Sequence, residues 1–390
     1  MRIAYISADP GVPVFGRKGC SIHAQEVLRA LVKCGAQIDL FATSFAGDPP
    51  LGLETVHVHP LAPAPKGDLA VREQLLLAAN HELRDALDRT GPFDLVYERY
   101  SLWSFAGMEY ARSAKTKGLV EVNAPLIEEQ AEHRGLVDRS GAERVAAQVF
   151  ESASALLAVS EEVARYLTSF PRARDKVHVV PNGVNPDRFP LNLAPSLPPT
   201  RGAFTVGFVG TLKPWHGLEI LVEAFSQLHG QQSNARLLIV GDGPERANQQ
   251  AALSSRGLLE AAHFTGAVSA AEVPGLLASM DAAVAPYPKL PHFYFSPLKV
   301  YEYMAAGLPV VAGRLGQLTR LIQHDVNGLL VTSGDAAELA AALERLRTSP
   351  ELRTRLGNAA RATVLRDHTW DVVVQRILSL AGVNPLQSKS

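Results

Sequence analysis

Short apolar runs alternate with helix-like stretches along almost the whole chain, and that alternation leaves few folds open. In the first half the strand-like runs are 2–8, 38–43, 56–59, 93–97, 119–122, 155–159 and 177–180. Helical stretches lie between them near 21–33, 69–88, 104–115, 127–150 and 161–169. Strands and helices alternating in this way build a parallel sheet with helices on both faces. The segment LNLAPSLPPTRG, after Pro190, is rich in proline and has no period, which marks a linker over 191–203. The rhythm then restarts. Strands are expected at 204–209, 236–240, 263–265, 282–285 and 310–312, with helices near 218–228, 245–255, 270–279 and 297–306. Helices at 336–346, 351–365 and 370–380 follow, and the final NPLQSKS reads as a frayed end.

A chain of 390 residues is too long for one ordinary core. The expected organisation is an α/β pair of doubly wound, Rossmann-like domains over 1–190 and 204–368, with residues 369–390 a terminal helix that packs back on the first. Open α/β sheets bind ligands at the carboxyl ends of their strands, so the expected ligand cleft is lined by βα loops of both domains. The 38 basic and 39 acidic residues leave a net charge of −1, which gives no general attraction to nucleic acid or an anionic bilayer. No apolar run approaches the ~18 residues of a membrane span, and MRIAYISADPG opens as a strand, not a signal peptide. The cytoplasm is the expected compartment, and nothing in the sequence indicates membrane association. Cys20 and Cys34 read as buried helix residues of a reducing compartment, not a disulfide.

Chemistry is expected first in FSPLKVYEYMAAGLP, 295–309. Ser296 stands where an N-cap belongs, Pro297 at the first helical position, and Gly307 with Pro309 ends the helix. Free N–H groups around Pro297, Leu298 and Lys299, with the positive end of the helix dipole, make an anion site. Glu302 follows one turn on and can hold a hydroxyl near the same mouth. Phosphate plus hydroxyl suggests a nucleotide.

Other loops agree. The string GFVGTLKPWHG brings Gly207 and Gly210 to a strand end, then Thr211, Lys213 and His216. Glycines there admit a diphosphate to the backbone, Lys213 can neutralise it, and His216 can donate to a phosphate or cap the next helix. In IVGDGPE, Gly241 makes a strand-to-helix turn that Asp242 organises, and HFTGAV, ending at Val268, can offer backbone to a base edge. The first loop, DPGVPVFGRKGCS, contains Gly16 and Gly19 and can admit a ligand close to the backbone. Its glycine spacing is not that of a dinucleotide dehydrogenase. Metal-ligand spacings, an Asp-x-Asp pair, a Gly-x-Ser-x-Gly elbow and a Walker loop are all missing from the sequence.

In this order, VVPNGVNPDRF, GFVGTLKPWHG, LLIVGDGPE and SPLKVYEYMAAGLPVVA resemble the retaining nucleotide-sugar glycosyltransferases of family 4, which have the GT-B fold. YERYSLW and EVNAP look most like bacterial members of polysaccharide or glycolipid assembly. The resemblance implies a nucleotide-sugar donor in the C-terminal domain, with UDP the commoner base. The acceptor it implies is a small molecule, glycan or glycolipid, held by the N-terminal domain. It implies no cofactor and no metal. Glu302 matches the second acid of the family's Glu-x7-Glu motif, which holds the ribose. The backbone at Leu298 and Lys299 matches the diphosphate site. Four positions depart from the pattern. Tyr294 replaces the first acid, Thr211 and His216 replace the arginine and lysine of the diphosphate loop, and a common histidine falls near Asn123. Lys213 and Lys299 are the nearest substitutes for the lost charge. Glu98, Asn123, Glu129 and His133 are candidates for sugar or acceptor contact. Two alternatives stay open: an epimerase or hydrolase of the nucleotide sugar, and a non-catalytic binding partner of another transferase.

Overall fold

The structure, a computed structural model, describes residues 1–63, 66–198, 200–231 and 233–383; the NPLQSKS end lies outside them. The chain divides into two compact units. The first holds Met1–Asn182, Tyr294–Ser296 and the segment from Trp370; the second holds Gly183–Phe293 and Pro297–Thr369.

In the first unit seven strands form one parallel sheet. They are β1 (Arg2–Ser7), β2 (Gln37–Ala42), β3 (His57–Pro60), β4 (Leu95–Arg99), β5 (Lys117–Val122), β6 (Ala155–Ala158) and β7 (Val177–Val179), in the order β3-β2-β1-β4-β5-β6-β7. The reversal of direction falls between β1 and β4, where Tyr5 pairs with Tyr97 and Ile6 with Glu98. Val96, Val120 and Leu156 are fully buried against Met108, Val149 and Phe150 of the covering helices. Burial on both faces is why these strands read as apolar runs rather than alternating ones. Each such side chain contributes about 1.5–3 kcal/mol.

The second sheet has β8 (Phe204–Val209), β9 (Ala235–Val240), β10 (Ala262–Phe264), β11 (Ala282–Ala285), β12 (Val310–Gly313) and β13 (Leu329–Val331), ordered β10-β9-β8-β11-β12-β13 and again parallel. Phe208, Leu221, Phe225 and Leu343 are central to its core.

Several boundaries differ from the sequence reading. The stretch 69–88 is two helices, Leu69–Ala78 and Asn80–Thr90. The Asn80 amide turns the chain there, accepting from the Phe105 and Ala106 N–H groups and donating to the Trp103 carbonyl. The stretch 127–150 is likewise split, into Leu126–His133 and Arg139–Ser152. Gly135 takes φ +84°, and Asp138 caps the second helix by accepting from Gly141 N. β13 was not expected, because LLV is too short to separate from a buried turn. Both cysteines are free, yet half-buried rather than buried, and Cys34 caps its helix rather than lying in it. The helix Trp370–Leu380 lies with the first unit: Trp370 meets the His23 ring edge-on at 5.1 Å, and Asp371 pairs with Lys33.

Candidate active site

In the second unit the loops after β8 and β9 close on each other through two glycines. Gly210 has φ +145° and Gly241 φ +130°. A Cβ on Gly241 would stand 2.1 Å from the Gly210 carbonyl oxygen, and one on Gly210 would stand 2.8 Å from Lys299 Nζ. Only glycine tolerates that backbone and that approach. Gly241 also bridges to Gly266, which ties in the loop bearing the half-buried Val268.

Lys299 enters from the helix Leu298–Ala305. That helix begins one residue later than Ser296 and Pro297 predict: Pro297 is its N-cap, and no side chain caps it. Ser296 is drawn elsewhere, its Oγ accepting from Asn182 N at 3.1 Å and its carbonyl from Asn182 Nδ2 at 2.8 Å. The Lys299 ammonium lies 4.0 Å from the centre of the Phe208 ring and 5.6 Å from that of Tyr287. It is buried without a hydrogen-bond partner among the described residues. Burial lowers its pKa to about 7, against the opposing pull of Glu302.

His216 lies in the single 3-10 turn Pro214–His216, beside the same two rings. Burial first, then Lys299 and Lys213, push its pKa down to about 3, against the bond to Thr211. A carbonyl can only accept, so the 2.5 Å contact between Nδ1 and the Thr211 carbonyl puts the ring proton on Nδ1 and leaves Nε2 a lone pair. Donation from Nε2 to a phosphate requires a second proton. Thr211 is exposed, and Lys213 Nζ sits 5.6 Å over the Trp215 ring. Glu302 accepts from Arg188 Nη1 at 3.1 Å, and Arg188 Nη2 donates to the Ala270 carbonyl at 2.8 Å.

Phe208, Tyr287 and Arg188 were not foreseen. Phe208 and Tyr287 look like ordinary core aromatics in the sequence. Arg188 stood in the VVPNGVNPDRF string with no role assigned.

In the first unit, Gly16 accepts from Gln25 Nε2 at 2.9 Å, folding its loop onto the helix that Gly19 opens. Glu98 is enclosed on β4, where Ser104 Oγ donates to it at 2.5 Å and burial pushes its carboxyl up to about 7. Asn123 follows β5, and His133 is the exposed last residue of the helix Leu126–His133. Glu129 accepts from Tyr294 Oη at 3.1 Å and from Arg134 Nη2 at 3.0 Å. Of the four acceptor candidates it lines a cavity of about 830 Å³ over the carboxyl ends of β1, β2 and β4.

Also unforeseen is a buried polar set in the same unit. His23 Nε2 lies 2.8 Å from Glu121 Oε1, and Arg99 Nη1 donates to His23 Nδ1 at 3.0 Å. Burial raises the Glu121 carboxyl, but His23 and Arg99 outweigh it and hold the group below the usual carboxylate range.

The sequence matches two family profiles, "Glycosyltransferase Family 4" over residues 17–188 and "Glycosyl transferases group 1" over 203–349. A D-inositol 3-phosphate glycosyltransferase of Acidothermus cellulolyticus is 30% identical over 390 residues, covering 93% of this chain and 85% of that one. The chain is a glycosyltransferase of family 4.

Solved structures support the fold of the transferase. A sucrose-phosphate synthase from Thermosynechococcus elongatus superposes with a TM-score of 0.75 at 21% identity, over 97% of this chain and 98% of that one. The Anabaena HepE protein, in complex with UDP and glucose, gives 0.74 at 19%, over 98% and 99%. Both units of the transferase are thus of the GT-B kind, two parallel-sheet α/β domains. Among the described residues of the transferase no helix is long and apolar enough to cross a membrane, and no group of three or more His, Cys, Asp or Glu residues could hold a metal ion.

Proposed function

We propose that the transferase is retaining and moves a sugar from a nucleotide-diphosphate sugar, with UDP the favoured base, to a hydroxyl on a small molecule, glycan or glycolipid. The observation that carries this reading is the buried Lys299 ammonium, which lacks a hydrogen-bond partner at the start of an uncapped helix. A cation held in that state has its solvation removed and only ring faces in partial return, with no lone pair to accept its protons. A diphosphate oxygen supplies the missing acceptor and restores the full charge. Helix N–H groups add fixed dipoles at the same end.

As the sugar–phosphate bond breaks, negative charge grows on the diphosphate while the sugar becomes oxocarbenium-like. Lys299 and the helix start meet that charge, and loss of one such donor costs ~3 kcal/mol in the barrier. Lys213, half-buried on its loop beside the Trp215 ring, can swing to the outer phosphate. Glu302 takes the ribose hydroxyls, and Gly210, Gly241 and the Val268 loop supply backbone to the nucleotide. The acceptor attacks on the leaving-group face, and a diphosphate oxygen takes its proton, so no protein base is needed. In this reading the lysines and helix dipole do the work a metal would otherwise do, and the reaction runs in the cytoplasm. That HepE is found with UDP and glucose supports the choice of base.

Tyr294, bonded to Glu129 where the family pattern has an acid, favours one second reading: an epimerase or hydrolase of the nucleotide sugar. A thermal-shift screen of nucleoside diphosphates and their sugars, followed by NMR of the donor without acceptor, tests both. Stabilisation by UDP with only slow donor hydrolysis is expected. No stabilisation by any nucleotide would sink the transferase mechanism, and rapid epimerisation without acceptor would favour the second reading.

A further inference from the structure

The cavity of about 830 Å³ in the first unit has an unusual wall. The helix Leu69–Ala78 buries a single side chain, that of Glu73. Its Val71, Leu75 and Leu77 are 52%, 48% and 39% exposed. The usual arrangement, with leucines inward and charge outward, is inverted. Glu73 anchors the helix by accepting from the Val137 and Asp138 N–H groups at 2.9 and 2.8 Å. Leu75 is thus free of core packing, while Leu76 rests against the core, and both line the cavity together with Leu102 and Trp103.

The charged groups on the wall are three bases and three acids, but they are not equally committed. Asp9 accepts from Gly11 N at 2.7 Å, Glu82 from Ala62 N at 3.1 Å, and Glu129 from Arg134 and Tyr294. Among the described residues Lys18 reaches only the Gly11 carbonyl, at 3.5 Å. Arg72, on the inverted helix itself, has its Nε buried without a partner among the described residues. A guanidinium has five donors, cannot lose its charge, and matches an oxyanion in two-pronged fashion.

We propose that this cavity takes an acceptor that joins an acidic oxyanion group, phosphate or carboxylate, to an apolar body. Arg72 holds the anion, and Leu75, Leu76 and Trp103 hold the apolar part. The position fits: ligands of open α/β sheets settle where strand order reverses, which here is between β1 and β4. This inference rests on the transferase reading, for it names the class of molecule that receives the sugar.

Calorimetry on the full chain with phenyl phosphate, phenol and inorganic phosphate tests it. Phenyl phosphate is expected to bind at least tenfold tighter than either fragment. Arg72→Gln should weaken it about tenfold, Arg72→Lys should recover part of that, and Leu75→Asp should bring it down to the level of inorganic phosphate. Lys299→Met should leave it unchanged, which separates this cavity from the diphosphate site. Sedimentation with phosphatidylcholine vesicles, with and without phosphatidylglycerol, assigns the source. Anionic-vesicle binding that Arg72→Gln and Leu75→Asp both abolish supports a lipid acceptor; phenyl phosphate binding without vesicle binding supports a soluble one. Equal affinity for phenol and phenyl phosphate, or full phenyl phosphate binding by Arg72→Gln, overturns the proposal. UDP binding, measured on the same samples, judges the donor reading independently.

Discussion

Lys299 Nζ stands 4.0 Å from the centroid of the Phe208 ring, and among the described residues no acceptor reaches it. A ring face returns part of the lost hydration of a cation but offers no lone pair. The residue is therefore costly to the empty protein and favourable only once an anion arrives. That asymmetry makes the second unit testable by stability as well as by binding.

Lys299→Met should raise the stability of the empty protein by ~1 kcal/mol, the usual gain when a functionally strained group is replaced by one that packs. UDP affinity should fall about 100-fold, the ~3 kcal/mol of one lost charge-stabilising donor. Thermal unfolding and calorimetry read the two effects. Unaltered UDP affinity would remove Lys299 from the diphosphate site.

The pH dependence has a definite sign. The pKa of Lys299 falls from 10.5 to about 7 on folding, so the folded chain holds fewer protons than the unfolded one between those values. Stability of the empty protein should rise with pH across that window. Nucleotide affinity should move the other way, weakening by about tenfold per unit above pH 7 as the ammonium is lost. Lys299→Arg, which keeps its charge, should flatten that slope. A slope that survives the exchange would place the titrating group elsewhere.

Gly210→Ala should cost ~1–2 kcal/mol of stability, since its φ of +145° is unfavourable for any residue with a Cβ. The new methyl would press on Lys299 Nζ, so UDP affinity should drop as well. An alanine variant as stable as the parent would show that the loop relaxes freely.

Arg188 and Glu302 should separate by readout. Glu302→Ala should weaken UDP binding about tenfold through lost ribose bonds, a loss of ~1.4 kcal/mol. Arg188→Ala removes one hydrogen bond each from the Ala270 carbonyl and Glu302 and should act chiefly on stability, by ~1–2 kcal/mol. If Arg188→Ala weakens UDP binding more than Glu302→Ala does, Arg188 is itself a ligand-binding group.

Glu121→Ala leaves Arg99 buried without its carboxylate and should cost ~3–5 kcal/mol. The Glu121 pKa is lowered on folding, so its contribution is complete above the unfolded value and is lost as pH falls through the folded one. The parent should lose this stability in acid, and the Glu121→Ala variant should show a flatter acid limb in urea titrations at several pH values.

Much of this protein was legible in one dimension. Strand–helix alternation follows from which residues can be buried on both faces, and it located all seven described strands of the first sheet to within two residues at each end, as in 2–8 against Arg2–Ser7. The glycine turns at Gly210 and Gly241 were legible because a positive φ leaves few residue choices. Breaks such as that at Asn80 were not, because its partners are the distant Trp103 and Phe105.

The same division holds at the site. The sequence by itself determined two α/β domains, a helix start within one residue of Leu298, and the presence of Lys299 and Glu302 on one helix, since each depends on neighbours a few residues away. Only the tertiary structure decided that Lys299 is enclosed by Phe208 and Tyr287, that Glu302 pairs with Arg188, and that Tyr294 is bonded to Glu129. Those contacts join residues up to 165 positions apart. Desolvation, which sets the charge of Lys299 and His216, depends on everything that packs around a group, and no local pattern encodes it.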